Sequence, residues 1–210
     1  TAFAVQKPDD YDPQEFYCAC EKLCPDSSAV HPCDKMLSYG KLPNEKYMIN
    51  WPLEGNDFYA PIVEMSEEER AAIYAEAKAK TLGFVYFIQN ELGYDHLGLA
   101  DDEFPTADQL PFLPYHREGR RINGQIQLNV NHILQPFEHQ LYRTGIAVGD
   151  YPIDHHHAEN PEAPAIDFPQ VPSFNVPMGV LLPATVENFL VADKAISVTN
   201  IVNGATRLQP

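Results

Sequence analysis

Two short stretches carry the side chains best suited to chemistry. The run Thr144-Gly-Ile-Ala-Val-Gly-Asp-Tyr-Pro-Ile-Asp-His-His-His157 packs two glycines, two aspartates, a tyrosine and three consecutive histidines together. Imidazoles titrate near neutrality, so His155 and His156 suit proton transfer. The second stretch is Pro114-Tyr-His-Arg-Glu-Gly-Arg-Arg-Ile-Asn-Gly124. Arg117, Arg120 and Arg121 are three of only 14 basic residues in a chain of formal net charge -16. Planar guanidinium groups clustered in this way suit an anionic partner such as a carboxylate or a phosphate. The competing reading pairs them internally with Glu118 and nearby aspartates. For Asp154-His155-His156-His157 the rival chemistry is a metal-dependent hydrolase, because histidine and carboxylate are common metal ligands. Adjacent side chains on extended backbone point to opposite faces, so only alternate members of that run converge easily. No second histidine pair at ligand spacing supports it, and no metal is assigned. A third possibility is a non-catalytic ligand-binding module using Trp51 and the many tyrosines.

The elements that must position these groups are uneven. Gly145 to Val148 is small and apolar and reads as a buried strand, left through the Gly149-Asp150 turn. Pro152 then imposes an extended or turning backbone. Gln125-Ile-Gln-Leu-Asn-Val130 alternates and reads as a half-buried strand. Asn188-Phe-Leu-Val-Ala192 reads as a short buried strand, Ala195 to Asn200 as extended, and Asn203-Gly204 as a turn. Lys46 to Trp51 is a weaker strand candidate, ended by Pro52. The clearest element is a helix from Ser66 to Leu92. Ser66 and Glu69 have capping-box spacing, three glutamates favour its N-terminus, and Gly93 supplies a stop. Its apolar stripe widens toward the C-terminus, and Gly83 within it marks close packing or a break.

Length and composition bound the rest. At 210 residues and 44% hydrophobic, the chain can form one large domain or two small ones with a proper core. Its acidity disfavours nucleic acid and anionic membrane surfaces. No apolar run is long enough to span a bilayer. The 19 prolines imply many extended segments and few long helices. Cys18, Cys20, Cys24 and Cys33 follow a C-x-C-x3-C-x8-C pattern, which leaves free thiols, disulfides and a metal cluster all open.

Three segments together resemble the FAD-dependent oxidoreductases whose two-dinucleotide-binding flavin domain is interrupted by a large substrate-side domain. They are Pro114 to Gly124; Ile146-Ala-Val-Gly-Asp-Tyr-Pro-Ile-Asp-His-His156; and Val176-Pro-Met-Gly-Val-Leu-Leu-Pro183 with Glu187-Asn-Phe-Leu-Val-Ala-Asp-Lys-Ala-Ile-Ser197 and Asn203-Gly-Ala-Thr-Arg207. The resemblance implies the middle and late part of such an enzyme. The fold expected is α+β: a proline-rich, irregular substrate-side (cap) domain over 1–172, with one long helix and a small mixed or antiparallel sheet. A terminal piece of the flavin-domain sheet follows over 173–210. No G-x-G-x-x-G occurs, so the expected cofactor, FAD, belongs to the longer protein. The expected partners are the remainder of the flavin domain and a small organic substrate. By the same resemblance Asn200, Asn203, Gly204 and Arg207 approach the flavin. Arg117, Arg121, Tyr151, Asp154 and His155 face its substrate side. His155, His156 and Arg117 are the catalytic candidates, and Arg121, Tyr151 and Asp154 bind substrate. Asp193-Lys194 stands where the family usually has Gly-Arg.

Overall fold

A computed structural model describes residues 4–24, 31–52, 54–156, 160, 162–164 and 166–207. It is α+β, with one long helix and a two-stranded antiparallel sheet among the described residues. The chain divides into two compact units, Thr1–Tyr115 and His116–Pro210.

The first unit is built on helices α1 (Cys33–Tyr39) and α2 (Glu67–Asn90). The Ser66 side chain accepts the Glu69 backbone N–H at 3.3 Å, and the Glu69 carboxylate accepts the Ser66 N–H at 2.7 Å. These two bonds satisfy donors that the first turn leaves without helical partners. They also hold the Glu69 carboxyl below its usual range. The helix ends as expected, with Gly93 at φ +84. Its N-terminal half is largely exposed, while Phe84, Phe87 and Ile88 are buried against Phe16, Met36 and Trp51. Trp51 enters this apolar cluster with its polar atom satisfied, donating to the Ala19 carbonyl at 2.6 Å.

The four cysteines form two disulfides, Cys18–Cys24 and Cys20–Cys33. Cys20 and Cys33 belong to the buried cluster. That pairing replaces the free-thiol and metal readings of the motif.

Lys46 to Trp51 does not form a strand; one isolated bridge joins Tyr47 to Lys41. The reason is local. Asn56 accepts the Trp51 N–H at 3.1 Å and donates to the Ile49 carbonyl at 3.0 Å. Its side chain thus occupies backbone groups that a neighbouring strand would use.

The second unit contains α3 (Val130–Leu134), β1 (Gly145–Gly149), β2 (Phe174–Pro177) and α4 (Asn200–Thr206). Strands β1 and β2 are antiparallel, pairing Gly149 with Phe174 and Val148 with Asn175. Gly149 is required there, because an added Cβ would lie 2.3 Å from the Phe174 ring. The core gathers Leu128, Ile133, Phe174, Val180, Val198 and Val202.

Four expectations are corrected here. β1 forms, but it is not buried: Ile146 and Val148 are exposed, and only Gly149 is enclosed. The alternating Gln125–Val130 run is not a strand of a sheet. Its region divides its hydrogen bonds between two segments, with Gln125 N–H to Leu182 and Ile126 N–H to Gly179 on one and Leu128 N–H to Ser197 on the other. Val130 already begins α3, capped by Asn129, whose side chain accepts the Asn131 N–H at 3.1 Å. The Asn188–Ala192 run is largely exposed and joins no strand, and Asn188 takes a positive φ of 55. Asparagine tolerates that left-handed conformation, which is incompatible with a regular strand. Finally, Asn203-Gly204 is not a turn but the interior of α4, where Asn203 N–H bonds the Thr199 carbonyl at 2.9 Å.

Candidate functional site

The segment that follows β1 brings Asp154 and His156 to Arg117 and Arg207, all within the His116–Pro210 unit. Asp154 is the centre. Its Oδ2 lies 2.5 Å from Arg207 Nη2 and 3.4 Å from Arg117 Nη1, and its Oδ1 lies 3.2 Å from His156 Nε2. Arg117 Nη2 also meets His156 Nε2 in a short contact. The Tyr151 hydroxyl reaches Asp154 Oδ2 at 3.5 Å.

Backbone packing holds Asp154 in place. Its N–H donates to the Gly204 carbonyl at 3.4 Å, and a Cβ on Gly204 would sit 3.0 Å from the Asp154 carbonyl oxygen. Gly204 therefore lets α4 approach the Asp154 backbone closely. Two guanidinium groups face one carboxylate, so Arg117, Arg207 and Asp154 together carry one formal positive charge in excess. That sign opposes the net charge of the whole chain.

The histidines separate as extended backbone requires. His156 turns to Arg117 and Asp154, while His155 turns the other way, its Nε2 lying 2.6 Å from Asn200 Oδ1. Asn200 Nδ2 in turn approaches Glu118 Oε2 at 3.4 Å, and Arg121 Nη1 donates to the same oxygen at 2.8 Å. His157 lies outside the described residues.

Beside Asn200 lies an open groove of about 660 Å³, walled by residues of the arginine stretch, among them Arg120, Arg121 and Asn123, and by Val198 and Thr199. Lys194 donates to the His116 carbonyl, anchoring the start of that stretch. Asp193 accepts the Ala195 N–H at 2.6 Å, so the Asp-Lys pair serves a local turn and this anchor.

Of the residues expected near a flavin, Asn200 is exposed at the groove. Asn203 and Gly204 are buried within α4, and Arg207 is buried against Asp154. Asn203 Oδ1 and Arg207 Nε are enclosed with no hydrogen-bond partner among the described residues. Asn203, Gly204 and Arg207 do not line the groove; the amide and guanidinium groups that do, those of Asn123, Asn200, Arg120 and Arg121, suit a flavin ring edge. They do not fit its pyrophosphate, for which the chain has no glycine-rich turn.

The internal pairing expected as the alternative for the arginine stretch is present, with Arg117 on Asp154 and Arg121 on Glu118. The three-residue separation of Glu118 from Arg121 was the signal for the second pair. Among the described residues, which leave out His157, no group of three ligand side chains is placed to hold an ion. No helix of the described residues is long and apolar enough to cross a membrane.

A family model described as FAD dependent oxidoreductase matches residues 1–210. No curated protein and no solved structure matches the chain.

Proposed function

The chain belongs to the FAD-dependent oxidoreductase family, and we propose that it forms the substrate-side wall for hydride transfer between a small organic substrate and the flavin. The convergence of Arg117, Arg207 and His156 on Asp154 supports this reading. A partly enclosed cluster with excess positive charge attracts and orients an anionic oxygen. Bound FAD supplies the hydride acceptor or donor.

The chain's own residues bind and move the proton. Arg117 holds the substrate oxygen as charge develops on it, and Arg121 and Tyr151 help to orient the molecule. Asp154 fixes the two arginines and His156. His155 accepts a proton as hydride leaves, and His156 can assist from the Arg117 side. Asn200, at the groove, would hold the flavin edge. Asn203, Gly204 and Arg207 support that contact from α4. In this reading residues 1–172 serve as the cap and 173–210 as a piece of the flavin-binding domain. The remainder of that domain holds most of the FAD.

The test is turnover of the full-length, FAD-loaded enzyme. His155→Ala is expected to lower kcat by about 10²–10⁴-fold, the usual contribution of a positioned acid or base. Arg117→Ala is expected to lower kcat/KM, with FAD content unchanged. Normal turnover in both variants removes the proposal.

A further inference from the structure

We infer that Asn200 is a positioning residue for His155, fixing the imidazole with its proton on Nε2 and its lone pair on Nδ1; the functional weight of this rests on the proposed role of His155 as proton acceptor. The polarity of the network follows from a group that cannot donate. Glu118 is a carboxylate, and in its ionised form it only accepts. Arg121 Nη1 donates to Glu118 Oε2 at 2.8 Å, which holds the carboxylate in place. Asn200 meets the same oxygen at 3.4 Å. It must therefore present its amide nitrogen to Glu118 and its carbonyl oxygen to the other side.

On that other side Asn200 Oδ1 lies 2.6 Å from His155 Nε2. An amide oxygen only accepts, so Nε2 is the donor. A neutral imidazole carries one N–H, so the basic nitrogen of His155 is Nδ1. Nδ1 is enclosed in the structure, so a substrate proton reaches it only once the side chains around it move. The imidazolium so formed keeps its Nε2–H on Asn200, one amide away from the negative charge of Glu118. The Phe168 ring, 5.8 Å from the imidazole centroid, packs beside the same side chain. His156 is held differently, because its Nε2 faces Arg117 and Asp154.

The tautomer can be read directly by two-bond 1H–15N correlation spectra of the 210-residue chain labelled at histidine, with His155 assigned through His155→Gln. Wild type is expected to show the Nε2–H form. The exchange variant Glu118→Lys with Arg121→Glu keeps an ion pair but places a donor beside Asn200. Its amide is then expected to turn over and His155 to move to the Nδ1–H form. A wild-type His155 with its proton on Nδ1 overturns the assignment, and so does an unchanged tautomer in the exchange variant. If the exchange variant does not fold, Asn200→Ala serves. Its nitrogen shifts are expected to move to the average of an unrestrained mixture, and shifts identical to wild type overturn the assignment. No turnover is needed for these spectra. Their failure is thus distinct from failure of the catalytic reading, which His155→Ala turnover judges separately.

Discussion

Arg207 Nη2 lies 2.5 Å from Asp154 Oδ2, and only 4% of the arginine side chain is exposed. Arginine does not lose its proton in a protein, so its charge remains wherever it is buried. Removing the carboxylate leaves that charge, and the Arg117 charge beside it, without their shared counterion. Asp154→Asn is expected to lower the stability of the intact chain by about 1–3 kcal/mol. Urea unfolding followed by circular dichroism measures it, and an unchanged midpoint contradicts the cluster as described.

The disulfides differ in burial. Cys20 is 1% exposed and Cys33 8%, whereas Cys18 and Cys24 are intermediate. Thiolate attack requires access to sulfur. Graded reduction with trapping is expected to open Cys18–Cys24 before Cys20–Cys33, as peptide mapping can show. Cys20→Ser with Cys33→Ser should cost about 2–4 kcal/mol, the usual worth of a bridge closing a loop of this kind. Alkylation without reductant is expected to label no cysteine, and labelling of Cys20 or Cys33 excludes the pairing.

His132 gives the second unit a pH dependence. Its Nδ1 accepts the Asn129 N–H at 3.1 Å, which completes the N-terminal cap of α3. Burial, and secondarily the charge of His139, push the His132 pKa below its ordinary value. The unfolded chain therefore binds this proton more readily than the folded one. Stability from this group is complete above about pH 6.5 and is lost as pH falls from there through the folded pKa. Thermal melts across that range should show the decline. His132→Gln should flatten it, and an equal slope in both proteins removes His132 as the cause.

Gly83 is buried in α2, yet an added Cβ would meet Phe16 and Tyr11 ring atoms at 3.5 Å, an ordinary contact. Glycine inside a helix costs about 0.5–1 kcal/mol relative to alanine. Gly83→Ala is expected to raise stability by up to that amount. A loss of stability means that the neighbouring rings cannot accommodate the methyl group.

Much of α2 was legible because its determinants are local. Capping residues, glutamates in the first turn, a widening apolar stripe and a terminal glycine all lie within one helix length. The short apolar runs were less legible. Gln125–Val130 alternates as a strand does, but a strand requires a neighbour. Here the carbonyls it finds belong to two separate segments, one holding Gly179 and Leu182 and the other Ser197. Asn188–Ala192 is apolar enough for a core strand, but the positive φ at Asn188 and its exposed surroundings exclude one.

The amino-acid sequence alone determined which stretches hold the arginines and histidines, the position of the long helix, and the motif likeness that the family match bears out. Tertiary structure decided the partners. Arg117 and Arg207 meet Asp154 across 37 and 53 residues, and His155 meets Asn200 across 45. No local propensity encodes such pairings. They arise because Gly204 lets α4 approach the Asp154 backbone, and because successive residues of an extended segment must face opposite ways, sending His155 and His156 to different partners.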